Sequence, residues 1–187
     1  MSAKQPLPNN AKKVFSGVIF DVYQWEQEMF DGSTEIFEKL KRADTVILIP
    51  LTADGKIIVT EEEQPGKAPF MSIAGGRVET GEEPEFAAKR ELLEETGYQA
   101  ASLELWESAQ PVSKIDWTIY TYIARGCEKI AEQHLDAGEK ISLHFLNFEE
   151  FIELATTEKF NEINIKIAVL EAKANPEKMT ALKKLLS

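Results

Sequence analysis

The order of local signals along this 187-residue chain predicts an α+β fold on a mixed sheet. Strand-like segments come first, one firmly framed helix interrupts them, and more strands precede a helical C-terminus. That grouping differs from the regular alternation of a doubly wound parallel fold. An apolar content of 43% against 28% charged residues suits a globular chain with a real core. No internal repeat or low-complexity tract divides it, so residues 13–187 read as one domain behind a flexible polar arm at 1–12.

Between residues 14 and 42 the pattern predicts short antiparallel strands, with Asp31-Gly32 as a hairpin turn. The run Val46-Ile47-Leu48-Ile49 has the apolar character of a buried strand. Asp54-Gly55 then turns the chain into a second strand over 56–60, and Pro65 and Gly66 mark a loop over 64–68. The next helix has readable ends. Pro84 suits a first helical position, where a missing N–H costs nothing, and Gly97 suits the left-handed position just past the last turn. Phe86, Ala87, Leu92 and Leu93 are expected to form its apolar stripe, with the carboxylates on another face. Strands are predicted over 103–106, 117–124 and 141–145, and helices over 148–155, 162–173 and after Asn175-Pro176.

Charge and cysteine content narrow the function. The net charge of −11, from 32 acidic against 21 basic residues, argues against a nucleic-acid or anionic-membrane surface. Cys127 is the only cysteine, so an internal disulfide is impossible, and it reads as a buried thiol rather than a nucleophile. His134 and His144 read as surface or strand residues. No segment approaches the roughly 20 apolar residues of a membrane span, and the first residues lack a leader's apolar core. A cytoplasmic location is expected.

Residues 76–98 read GRVETGEEPEFAAKRELLEETGY, with seven glutamates in twenty-three positions. Glu91, Glu94 and Glu95 stand at i, i+3 and i+4, so a helix projects all three from one side. Like charges at that spacing destabilise a helix unless a cation lies between them. Hard divalent ions take carboxylate oxygen and are commonly used to bind phosphate oxygens and polarise phosphorus.

The segment resembles the Nudix box, G-x5-E-x7-R-E-U-x-E-E-x-G-U, where U is a bulky aliphatic residue. Gly76, Glu82, Arg90, Glu91, Leu92, Glu94, Glu95 and Gly97 fall in place, and Tyr98 departs at the last position, where an aromatic ring can fill the same volume. The resemblance implies an α/β/α sandwich, here with additional N-terminal antiparallel strands, and hydrolysis of a nucleoside diphosphate linked to another group. It implies Mg²⁺, or Mn²⁺, held by Glu91, Glu95 and Glu94 with a backbone carbonyl near Ala74 or Gly75. Arg90 would pair with Glu82 to hold the loop on the helix, and Gly75-Gly76 would let backbone approach metal and pyrophosphate. A general base outside the box is expected at Glu139, with Asp136 in reserve, so that Glu139, Glu94 and Arg90 form the expected catalytic set.

The extra N-terminal strands resemble those of the ADP-ribose and nucleotide-sugar pyrophosphatases, in which they exchange across a homodimer and help build the base pocket. On that likeness Phe37 would stack on a base and Arg42 would reach a phosphate, with Trp25 and Phe20 as further stacking candidates. Two departures stand against a plain ADP-ribose assignment. Glu61-Glu62-Glu63-Gln64 replaces a Gln-aromatic-Arg segment, and Ser72-Ile73-Ala74-Gly75 replaces a Glu-aliphatic-Pro-Ala-Gly segment. Pro111 matches a downstream proline only loosely, and Lys67 or Lys114 are the candidates to substitute for the missing arginine. Hydrolysis of nucleoside triphosphates or dinucleoside polyphosphates is the neighbouring alternative, and a non-catalytic nucleotide sensor is the alternative from another class.

Overall fold

The computed structural model describes residues 6–187, so the first five residues of the expected arm lie outside the described residues. Two sheets organise the chain. β1 (Lys12–Ser16), β2 (Asp21–Glu28) and β3 (Thr34–Lys41) form an antiparallel meander, and the expected hairpin turn lies between β2 and β3, with Gly32 at φ +83°. The short β10 (Ile115–Asp116) joins β3 in parallel.

The central sheet is mixed. β4 (Thr45–Thr52) and β11 (Ile119–Lys129) run parallel at its middle, and β5 (Ile57–Glu63) and β12 (Lys140–Leu146) extend it antiparallel on one side. β9 (Ser102–Ala109) and the short β8 (Tyr98–Gln99) pair with β11 on the other side. Two further short strands, β6 (Phe70–Ser72) against β5 and β7 (Gly75–Arg77) against β4, lead into the glutamate-rich segment. Parallel pairing of β3 with β10 passes directly into that of β4 with β11, so the N-terminal sheet continues the two central strands. Asp44 secures the junction by accepting the Thr118 N–H at 2.7 Å.

Alternation along β4 separates two cores, because successive side chains on a strand point to opposite faces. Val46 and Leu48, with Ile58, Tyr122 and Ala124, pack toward α1 (Pro84–Thr96). Ile47, Ile49 and Leu51, with Ile57, Val59 and Ile123, pack toward α2 (Phe148–Leu154), α3 (Ile163–Ala174) and α4 (Pro176–Leu185). The result is the expected α/β/α sandwich. Asn147 and Asn175 cap α2 and α4 through their side chains, which explains where those helices start.

The frame of α1 is as expected, with Pro84 in the first turn and Gly97 left-handed at φ +75°. Its faces are not. Phe86 and Leu93 are exposed, and the buried positions are Ala87, Ala88, Leu92, Glu95 and Thr96. Residues 87, 91 and 95 repeat every four positions, so the row of carboxylates lies on the face turned to the sheet. The strands over 103–106 and 117–124 are also longer than expected, because pairing between β9 and β11 carries both past their apolar centres.

Candidate active site

β4, β7, β8 and β11 pack against α1. Glu95 is buried at 7% exposure, Glu91 keeps 13% of its side-chain exposure, and Glu94 keeps 42% at the rim. Gly76 of β7 makes room for Glu91, and Gly75 lets β7 lie close against β4. A methyl group at Gly76 would sit 2.3 Å from the Glu91 carboxyl, and one at Gly75 would sit 2.4 Å from the Val46 carbonyl oxygen. Gly76 therefore admits the Glu91 carboxylate. The Gly75 N–H donates to Glu95 Oε2 at 2.8 Å.

Arg90 organises the outer side of the helix. It donates to both Glu82 oxygens at 3.1 and 3.0 Å, to Glu91 at 2.7 Å, to Glu94 at 3.1 Å and to the Arg77 carbonyl at 2.9 Å. That web ties the loop to the helix as expected, and it holds the Glu82 carboxyl below its ordinary pKa, chiefly through the Arg90 hydrogen bonds. The inner carboxyls move the other way. Burial pushes Glu95 up to about 9, with the charges of Glu62, Glu91 and Glu139 adding to the effect. Glu91 is likewise raised by burial, against Arg90 and with Glu94 and Glu139.

Glu139 enters that set from a different element. Residues 130–139 are laid across the C-terminal end of α1, whose last carbonyls lack partners within the helix. Gly97 accepts from Ile130 and Ala131, Glu94 accepts from His134 N–H at 2.7 Å, and the Gln133 side chain bonds the Glu95 carbonyl. A turn from Asp136 to Glu139 follows, and its glutamate acts electrostatically on Glu62, Glu91 and Glu95. Asp136 is exposed.

Two carboxylates were missed by sequence reasoning. Glu62 alternates with the exposed Glu61 and Glu63, turns inward, accepts from Thr60 Oγ1 at 2.8 Å, and is raised by burial first and by Glu162 and Glu139 next. The period-two phase with Ile58 and Thr60 was the available signal. Glu162 is raised by burial and accepts from Ser72 Oγ at 2.9 Å, so a carboxylate reaches the position before the box from ninety residues away. No local pattern marks that contact.

Of the expected substrate residues, Trp25 and Phe37 lie on the N-terminal sheet, Arg42 just past it, and Gly76 on β7. Trp25 and Phe37 face each other across β2 and β3 with ring centroids 6.0 Å apart, and the Lys114 ammonium lies 5.3 Å from the Phe37 ring. The Arg42 guanidinium lies 4.7 Å from the Trp117 ring and 5.8 Å from Phe20, with Nε unpartnered. Burial and the Arg77 charge lower its pKa, so Arg42 stands within electrostatic reach of the residue that follows Gly76. Neither Trp25 nor Phe37 is held against α1 by a hydrogen bond or ring contact. His144 pairs with Glu61 at 3.0 Å, and the buried Cys127 thiol is pushed up to about 11, as suits an inert position.

The donor set around α1 is all oxygen, the kind that hard divalent cations take, and its unbalanced charge is what such an ion would neutralise. Among the described residues no three acidic, His or Cys side chains already converge as a metal cage. The reason is visible: Arg90 engages Glu91 and Glu94, and Glu95 is turned to Gly75. The chemistry of this donor set suits a hard cation, with Glu91, Glu94 and Glu95 as its candidate ligands. The Ala74 carbonyl accepts the Leu48 N–H at 2.8 Å, and the Gly75 carbonyl is the other backbone candidate.

The chain is similar to several known proteins. The NUDIX domain profile matches residues 41–166. An ADP-ribose pyrophosphatase of Bacillus subtilis (strain 168) is 27% identical over 161 residues, covering 84% of this chain and 87% of that protein. A methanol dehydrogenase activator of Bacillus methanolicus is 29% identical over the same length, with the same coverage. A crystal structure of an ADP compounds hydrolase superposes with a TM-score of 0.72 at 21% identity, covering 93% of this chain and 95% of that one.

Proposed function

The chain belongs to the Nudix family and is a hydrolase of that family, and we propose that it cleaves the pyrophosphate bond of a nucleoside diphosphate derivative with the help of a divalent cation. The substrate class we favour is ADP-ribose or a nucleotide sugar, giving a nucleoside monophosphate and a sugar phosphate. The carrying observation is the pair Glu91 and Glu95, one turn apart and turned inward against two glycines that leave no room for a side chain.

Glu91, Glu95, Glu94 and the Gly75 carbonyl are the residues that would hold Mg²⁺, or Mn²⁺ in its place. When bound, such an ion neutralises pyrophosphate oxygens and makes a water a better nucleophile. Glu139, fixed by the segment across the end of α1, takes the proton of the attacking water. Arg90 keeps Glu82 and the box loop on the helix, so the carboxylates stay in register. Phe37 and Trp25 offer stacking surface for a base, and Arg42 offers a guanidinium for a phosphate. The Bacillus subtilis relative supports the substrate class. Exposed Val14, Phe15 and Ile36 on the N-terminal sheet support a homodimer formed through those strands, and the free thiol of Cys127 supports a cytoplasmic location.

The test is turnover with Mg²⁺ on ADP-ribose, UDP- and GDP-sugars, dinucleoside compounds and nucleoside triphosphates, with Glu95→Gln as control. AMP and ribose phosphate from ADP-ribose, lost in the variant, are the expected products. Cleavage of another member moves the substrate, and no turnover across the panel overturns the reading in favour of a nucleotide sensor. Removing residues 1–42 should abolish dimers in light scattering; a dimeric truncated protein would refute that part.

A further inference from the structure

We propose that Glu162 is a positioning residue of the hydrolase site, acting through Ser72 to set the strand segment that carries Gly75. The proposal rests on the reading above, in which Gly75 and Glu95 belong to the reaction's machinery.

Three hydrogen bonds clamp β6 from its open edge. Met71 N–H donates to the Lys159 carbonyl at 2.9 Å, Asn161 N–H donates to the Met71 carbonyl at 2.8 Å, and Ser72 Oγ donates to Glu162 Oε1 at 2.9 Å. On its other edge β6 pairs with β5, Ser72 opposite Thr60. Ile73 and Ala74, both buried, carry the chain from Ser72 to Gly75, and Gly75 N–H then holds the Glu95 carboxylate. The linkage is short and packed on both sides, so a shift at Ser72 is transmitted to the carboxylate.

The side chain at 162 is costly for a merely structural part. Glu162 occupies the position before α3, where short Asn, Asp, Ser or Thr side chains bond the first backbone N–H groups, and its longer side chain makes no such cap, as Glu83 makes none at α1. Asn147 and Asn175, at the same position of α2 and α4, both do. Its carboxylate is turned to Ser72 instead, in a buried setting within electrostatic reach of Glu62, where burial raises its pKa. A neutral side chain would pack there at lower cost, because a buried carboxylate without a cationic partner is penalised. What the carboxylate adds is a strong acceptor that orients the Ser72 hydroxyl from a fixed helix end.

The test compares Glu162→Ala, Glu162→Gln and Ser72→Ala by amide exchange at Gly75, by kcat and KM on the substrate wild type accepts, and by melting temperature. Glu162→Ala should speed exchange at Gly75 and lower kcat roughly ten- to a hundredfold, the range for partners that orient site residues. KM and melting temperature should hold, since a hydrogen bond and a buried charge are lost together. Glu162→Gln keeps an acceptor oxygen and should restore most of kcat. Ser72→Ala should reproduce the faster exchange and the loss of kcat, with a lower melting temperature because the Glu162 carboxylate stays buried without its donor, and the double variant should have a kcat no worse than either single one. Wild-type exchange and kcat in Glu162→Ala, or a loss of activity that simply tracks a fallen melting temperature, overturns the proposal. If wild type turns over nothing on the panel, the hydrolase reading fails, while Gly75 exchange still decides whether Glu162 holds the strand.

Discussion

Toward α2, α3 and α4 the central sheet offers Ile47, Ile49, Val59 and Ile123 to Phe151, Phe160, Ile165 and Val169, and every one of these side chains is apolar. Toward α1 the same strands offer Val46, Leu48, Ile58 and Tyr122 to Ala87, Ala88 and Leu92, and to two inward carboxylates. Large residues fill the first face. On the second, alanines let the helix lie close while Glu91 and Glu95 take positions that packing alone would give to leucine. One face carries stability, and the other gives some of it up to hold charge at a chosen place.

The largest expected effect breaks the charged face. Glu95→Gln should reduce turnover by more than the roughly hundredfold typical of losing a supporting partner; near wild-type rates would sink the assignment. The same variant should raise stability in chelator. The Glu95 carboxyl is pushed up to about 9 in the folded chain, chiefly by burial. Folding therefore favours its protonated form, and without a cation stability declines as pH rises from the ordinary carboxylate range toward about 9. Melting curves against pH in chelator should show that decline in wild type and a flatter profile in the variant.

Phe151→Ala attacks the opposite face. Phe151 is fully buried edge-on to Phe160, and its truncation should cost about 3–5 kcal/mol in urea unfolding. Turnover per folded molecule should not change, and a fall in kcat under folding conditions would show that the two faces are coupled.

Gly76→Ala sharpens the contrast within β7. Its methyl group would collide with the Glu91 carboxyl, so kcat should fall at least about tenfold, with about 1–3 kcal/mol of overpacking strain. Unchanged kcat would mean that Glu91 is free to move away. The smallest effect is expected at Phe86→Gln on the exposed side of α1, within about 0.5 kcal/mol in stability and without effect on turnover. A large loss there would reveal that this face is covered in solution.

Much of this was legible locally. Pro84 and Gly97 framed α1 through backbone preferences, the hairpin at Asp31-Gly32 through turn chemistry, and the box glutamates through helical spacing. The inward turn of those glutamates was less so, because Phe86 and Leu93 are the larger apolar residues and suggested the opposite face. The sheet offers α1 a shallow surface beside β7, and small residues with carboxylates fit it where a phenylalanine does not.

Glu62, Glu139 and Glu162 mark the boundary. Glu139 could be proposed from its place in a loop before a strand, but its reach to Glu91 and Glu95 depends on how residues 130–139 cross the end of α1. In the sequence Glu62 is one of three consecutive acids, and Glu162 stands at the start of a predicted helix. By itself the sequence determined the local geometry, namely which residues share a helical turn and where that helix begins and ends, and it carried the box pattern on which the family resemblance rests. Only the tertiary structure decided which carboxylates meet and which are buried, because β6 must pair with β5 and dock on the 159–162 segment before the Ser72 hydroxyl can donate to Glu162. Spacing along a chain is set by bond geometry, whereas encounters across ninety residues are set by the register of the sheet.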